Sequence, residues 1–254
     1  MRMMIIFTLV AGLTIGIAHP SHASVIQPPT TSVGGKSLGE WSGEWWTWAL
    51  SFPTPTNPLL DQTGAHADQG DVGQVLFLAG TFGGGNAERT FSMPAGHHIF
   101  FPLINSFETL DSGTEETARA RAAAVIDNVS ELHFNIDDEE GENLFTHRHQ
   151  SPVFNIILPE DNIFGLPELA GIPLPTVADG YYLMLPPLTP GTHTITFGGA
   201  TSDFDITVTD HITVGQVIAV PEPSTLALLG TPMLLLVFQS LSLFTRRPMR
   251  LRSQ

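Results

Sequence analysis

No cysteine occurs anywhere in the 254 residues. That excludes disulfides, a lipoprotein anchor, a thiol nucleophile and any thiolate metal site, so an exported domain of this chain must be held together by its core. Positive charge is nearly as scarce. Ten Lys and Arg stand against 25 Asp and Glu, and five of the ten (Arg2, Arg246, Arg247, Arg250 and Arg252) lie at the extreme ends. Residues 24–220 keep 24 acidic and 5 basic side chains, a net charge of −19. Such a surface repels nucleic acid and anionic lipid and attracts cations, so no nucleic-acid partner is expected. The motifs of common catalytic machinery are missing too. No Gly-x-Ser-x-Gly is present, and Gly83-Gly84-Gly85 lacks the Lys-Ser/Thr that completes a phosphate loop and reads as a turn. Glu40 and Glu44 stand one helical turn apart, a spacing typical of a solvated helix face.

Long apolar runs are present only at the two ends. After Arg2, residues 3–18 are apolar and lead to Ser21-His22-Ala23, with small residues at the positions a signal peptidase reads. This pattern predicts a signal peptide over 1–23, cut between Ala23 and Ser24 after passage through the secretion machinery. Its apolar core of about 15 residues is shorter than the ~20 needed to span a bilayer. At the other end, Val220-Pro221-Glu222-Pro223-Ser224-Thr225 precedes an apolar run over 226–244, and Arg246, Arg247, Arg250 and Arg252 follow it at once. The run is long enough for a transmembrane helix, and its arginine flank places that end in the cytoplasm and residues before Pro221 outside.

The order Pro-Glu-Pro, apolar helix, arginine cluster over 221–254 resembles the PEP-CTERM sorting signal of Gram-negative bacteria that make exopolysaccharide. The resemblance implies processing by exosortase, a membrane-embedded cysteine transpeptidase that cuts near the motif. Pro221, Glu222 and Pro223 would be its recognition residues, with Arg246 and Arg247 holding the cytoplasmic end. Two prolines suit that role, because they fix an extended backbone and remove hydrogen-bond donors. The expected route is a membrane-anchored intermediate at the inner membrane, then the cell surface or extracellular matrix.

Between the ends, abundant Gly and Pro and short apolar runs broken by turn signals predict a mainly β domain over 24–220. Two subdomains meeting near 114–130 are an alternative. Residues 181–185, a turn at 188–191 and residues 193–197 read as a hairpin. After Gly198-Gly199, the alternation of Phe204, Ile206 and Val208 gives another strand, and residues 212–217 a further one. These resemble the closing strands of an immunoglobulin-like β-sandwich. Upstream, residues 132–136 and 144–148 read as a hairpin around the acidic segment 137–143, with strands at 74–78, 98–101 and 153–158. Helices are expected over 38–50, opened by a capping box at Ser37 and Glu40, and over 117–128. The runs Trp45-Trp46-Thr47-Trp48, Asn57-Pro58, Met93-Pro94-Ala95-Gly96 and Phe101-Pro102-Leu103-Ile104-Asn105 resemble uncharacterised exported bacterial proteins, which implies no activity.

Three clusters are candidate sites. Trp41, Trp45 and Trp48 fall on one helical stripe, while Trp46 points elsewhere. They form either a sugar-stacking platform or the helix's core face. His97-His98 at a strand edge, and His147 and His149 two apart on a strand, are candidate ligands for Zn, Mn or Fe, with His66 and Asp68 as further donors. Pro94-Ala95-Gly96-His97-His98 faintly resembles the cupin metal motif, although the order is reversed. Asp137, Asp138 and Glu139 open an acidic run that either binds Ca²⁺ or is a solvated hairpin tip. No other cofactor is expected. Together these observations predict an exported, exosortase-processed surface or matrix protein with a non-catalytic role in exopolysaccharide. The alternative is a secreted metal-dependent or glycan-acting hydrolase.

Overall fold

The computed structural model describes residues 25–110 and 113–215. The signal-peptide and cleavage positions up to Ala23 and Ser24, the Pro221-Glu222-Pro223 motif, the 226–244 run, Arg246 and Arg247 all lie outside the described residues. Among the described residues no helix is long and apolar enough to cross a membrane.

The chain is mainly β, as expected. A short ribbon, β1 (Ser32–Val33) and β2 (Lys36–Ser37), leads into helix α1 (Leu38–Ala49). The capping box is in place: the Ser37 backbone N–H donates to Glu40 Oε2 at 2.8 Å while the Glu40 N–H donates to Ser37 Oγ at 3.3 Å. Then follow β3 (Val75–Phe77), β4 (Gly85–Met93), β5 (His98–Thr109), helix α2 (Glu115–Ile126), β6 (Glu131–Ile136) and β7 (Glu139–Glu140). The last described strands are β8 (Arg148–Gln150), β9 (Phe154–Ile157), β10 (Pro173–Leu185), β11 (Gly191–Ala200) and β12 (Asp205–Val214).

Ten of these strands form two five-stranded sheets. One runs β3-β5-β10-β8, with β9 also on β10; the other runs β4-β12-β11-β6-β7. Both draw strands from either side of residues 114–130. Alternation along β3, β5 and β10 splits the apolar side chains between two cores. Leu76, Phe101, Leu183 and Leu185 meet Phe134, Phe197, Val208 and Ile212 of the other sheet. Phe77, Phe100, Tyr182 and Met184 face α1 and its tryptophans. The first sheet is therefore covered on both faces, which is why β10 is apolar almost without a break from Val177 to Leu185.

Several expected elements take another form. Residues 144–148 do not return as the second arm of a hairpin: Leu144–His147 is a turn of 3₁₀ helix, and β8 pairs with β10 of the opposite sheet. The partner of β6 is β7, joined through Asp137 and Asp138, both at positive φ (50° and 71°). That is a two-residue hairpin turn of the type matched to strand twist. Residues 212–214 continue β12 and are not a separate strand. Strand β4 was not expected at all, because two of its inward positions are Ala87 and Arg89.

Arg89 is buried, and its guanidinium donates to the carbonyls of Asp61, Ala79 and Gly80, at 2.8 Å for Asp61 and Gly80. Its counterion, Asp210 on β12, lies 3.7 Å away, too far for a hydrogen bond, and Asp210 Oδ1 has no hydrogen-bond partner. Burial pushes the Asp210 carboxyl up to about 7 against the pull of Arg89. A group raised this way holds its proton longer in the folded state than in the unfolded one, so its contribution to stability is full below the ordinary carboxylate range and is lost as pH rises to about 7. Urea unfolding across pH 4–9 should therefore show the wild type losing stability relative to Asp210→Asn between about pH 4 and 7, with a constant difference above that.

Candidate functional site

Strand β5 outruns its neighbour. β3 pairs with it only at His98, Ile99 and Phe100, and the Leu78 N–H closes the contact on the Phe100 carbonyl. The chain then turns away through residues 79–84 towards β4. From residue 101 onward β5 is paired on its β10 side alone among the described strands. Its register slips opposite Tyr181 and Tyr182, where Pro102 sits, a position at which a missing N–H is tolerated. Beyond the slip both faces open: residues 98–104 are almost all buried, whereas Asn105 to Thr109 are all partly exposed.

A cleft of about 270 Å³ follows this edge. Its floor is β5 from Pro102 to Phe107, and its far wall is the crossover with Gly80, Phe82, Gly83 and Gly84. One side is Trp45, Trp46 and Leu59; the other is Val125, Phe204 and Ile206. The two sides come from the two cores. None of the lining residues is ionisable. Three buried polar atoms near it lack partners: Trp46 Nε1, Asn105 Nδ2 and the Tyr182 hydroxyl. The hydroxyl sits among Asn105, Trp46 and Ser42 without a well-formed bond to any of them, and burial pushes its pKa up. These three atoms are gathered together beneath the cleft, with almost no surface open to it. Beyond Phe107 lies a second recess of about 270 Å³, walled by Leu50, Ile156, Leu158, Phe164, Leu166 and Leu174.

The tryptophans do not form an exposed platform for sugars. Trp41, Trp45, Trp46 and Trp48 are all buried between α1 and the first sheet, none more than 8% exposed. Three indole N–H groups are spent on backbone carbonyls: Trp41 on Val33, Trp45 on Leu78 and Trp48 on Gln69. The helical stripe is a core face, and Trp45 from the stripe and Trp46 beside it border the cleft.

The histidines and carboxylates are not gathered either. No group of three His, Asp or Glu able to hold a metal exists among the described residues. His97 Nε2 faces Asp71 at 3.4 Å, and His98 Nδ1 faces the Leu185 carbonyl at 3.2 Å. His147 ends the 3₁₀ turn and His149 lies on β8, so the two do not share a strand. Asp137 is spent on His193 Nδ1 and, at 2.8 Å, on the Thr194 N–H. Burial opposes protonation of His193, but the bonds to Asp137 and the Thr189 carbonyl outweigh it and raise its pKa. Asp138 and Glu139 are exposed around the hairpin turn. Glu40 caps α1 and Glu44 pairs with Lys36 at 2.7 Å. The sequence reading placed a strand only over 98–101, short of the part of β5 that floors the cleft.

No family model matches the chain, and no curated protein does. A solved structure titled "Structure of PbICP-C in complex with falcipain-2" aligns over 56% of this chain and 99% of that one, at 12% identity and a TM-score of 0.22. A likeness that weak supports neither fold nor function.

Two outcomes follow. Trp45→Ala should cost roughly 3–5 kcal/mol in urea unfolding, whereas Trp46→Phe, which removes an unpartnered donor, should cost under about 1 kcal/mol. His147 and His149 are both pulled below the usual histidine value by burial. The unfolded chain then takes up protons first, so these groups make the domain lose stability as pH falls below about 6.5. In His147→Gln that acid-side loss should shrink, as read by unfolding midpoints at pH 5.0 and 7.5.

Proposed function

We propose that this is an exported cell-surface or extracellular-matrix protein, sorted by its C-terminal signal and processed by exosortase, whose domain has a non-catalytic binding or structural role in exopolysaccharide. The observation that carries the non-catalytic part is the cleft, walled mainly by apolar side chains and glycines, with Thr81, Asn105 and Ser106 its polar side chains and no ionisable group among its lining. General acid–base and nucleophilic chemistry need such a group within reach of a substrate. The hydrolase alternative loses its best support in the dispersal of His97, His98, His147 and His149. The sorting part rests on the two ends of the sequence, with the membrane contact supplied by 226–244.

The topology also supports an immunoglobulin-like reading of the sandwich. The order β3-β5-β10-β8 corresponds to strands A-B-E-D, and β6-β11-β12 to C-F-G. The departure is β3, which runs parallel to β5.

Two experiments bear on this function. In a host with the sorting enzyme, the double variant Pro221→Ala, Pro223→Ala should accumulate as an uncut precursor in the membrane fraction, followed by immunoblot against the exported domain. Release equal to wild type would remove the sorting reading. Recombinant residues 24–220 should be retained on a column of the host's own exopolysaccharide, and free passage through it would remove the polysaccharide role.

A further inference from the structure

An open strand edge is a row of unpaired N–H and C=O groups, ready to pair with another extended chain. The β5 edge along the cleft is such a row, and its surroundings define what would pair with it. Side chains of an added strand point alternately to the two faces of the sheet, so a strand there needs an apolar recess on each side. The cleft has both, with Leu59 and Trp46 on one side and Phe204 and Ile206 on the other. Opposite the edge, Gly80, Gly83 and Gly84 carry no side chains to keep a backbone away. Asn105 and Trp46 line the edge, with Asn105 Nδ2 and Trp46 Nε1 buried beside the Tyr182 hydroxyl. The occupant that meets all these demands is a short, extended, apolar polypeptide.

This chain contains such a segment just past the described residues. Gln216-Val217-Ile218-Ala219-Val220 is uncharged, rich in β-branched residues, and stopped by Pro221, which cannot continue a paired strand. We propose that the cleft takes residues 216–220 of a second copy of the chain as an added strand, joining copies head to tail. The molecule's own tail cannot do this. Gly215 is bonded to the Met93 carbonyl, beside the turn that leads into His98. From there the open edge begins about 16 Å further along β5, in the other sheet. Five residues reach about 18 Å at full extension and would be used up before pairing began. A contact of this kind is heterologous, so it joins copies into head-to-tail chains or rings. The net charge of −19 opposes it at low salt, and screening relieves the repulsion.

The inference goes beyond the sorting reading and uses it only in that cleavage at Pro-Glu-Pro would leave 216–220 as the tail. Its test needs no processing step. Every described strand ends by Val214, so residues 24–215 contain all the described strands of both sheets. Sedimentation velocity of 24–220 should show oligomers that grow with concentration and from 0.05 to 0.5 M NaCl, whereas 24–215 should stay monomeric under the same conditions. A synthetic peptide of residues 215–220 should bind 24–215 with a change in tryptophan fluorescence that Trp46→Phe diminishes, and should dissociate the oligomers of 24–220. Monomeric 24–220 at the highest concentration, equal association of the two lengths, or no peptide binding would each overturn the proposal. Sorting could fail in the Pro221, Pro223 variant without touching any of these outcomes.

Discussion

The buried guanidinium of Arg89 ties together parts of the chain that share no sheet hydrogen bonds. It sits on β4, in the second sheet, and reaches the carbonyls of Ala79 and Gly80, where the chain leaves the first sheet, and of Asp61 in the loop after α1. A charge taken out of water demands such a set of acceptors, because its desolvation is repaid only when nearly every donor is used. The crossover that forms the far wall of the cleft therefore begins at a fixed point. Asp61 extends the tie by accepting the N–H groups of Thr63, Gly64 and His66, which outweigh the effect of its burial and hold its carboxyl below the ordinary range.

A second ion pair organises the opposite edge. Arg148 on β8 forks onto Asp179 of β10, at 3.0 and 2.9 Å, and also reaches Asp127 at the C-terminal end of α2. With Gln150 adding a bond to Asp179, the short strand β8 is fixed far more by side chains than by its three ladder positions. Strand edge, helix end and buried carboxylate are thereby locked in one arrangement, and α2 is held over β5 and β10. That arrangement places Val125 in the wall of the cleft.

What the sequence made legible was local. Helix α1 was readable from Ser37 and Glu40, because a capping box is a contact between near neighbours. Strands β10 to β12 were readable because apolar runs and alternation there follow burial directly. Legibility failed where a distant contact overrides the local signal. Arg89 at an inward position hides β4, since its burial depends on carbonyls up to 28 residues away. The expected strand stopped at Phe197 before Gly198 and Gly199, yet β11 runs through both, and Gly198 is needed there because a Cβ on it would collide with the Ile206 carbonyl on β12. His147 and His149 shared a strand only on the assumption that the acidic turn was a long hairpin loop; a two-residue turn at Asp137 and Asp138 sends the chain to the other sheet. The tryptophan stripe was correctly periodic but ambiguous, as periodicity does not say which side of a helix is wet.

The two sheets treat their outer edges differently, and the difference explains why the cleft exists at all. On β4 the outer edge is covered: the Thr90 N–H is taken by the Thr63 carbonyl, and Gly64, at φ +89°, lies so close that a Cβ there would come within 2.8 Å of the Thr90 carbonyl. The loop that Asp61 and Arg89 hold in place does this covering. On β5 the same crossover, pinned at Ala79 and Gly80, is drawn towards β4 and away from the first sheet. One anchoring interaction thus closes one edge and leaves the other open. An open edge flanked by apolar walls on both faces is a liability in a monomer, which natural sheets blunt with charge, proline or a bulge. Here Pro102 and the register slip guard only its beginning, and Asn105, Ser106 and Phe107 carry no charge. The exposed edge is then best understood as a surface kept available for pairing.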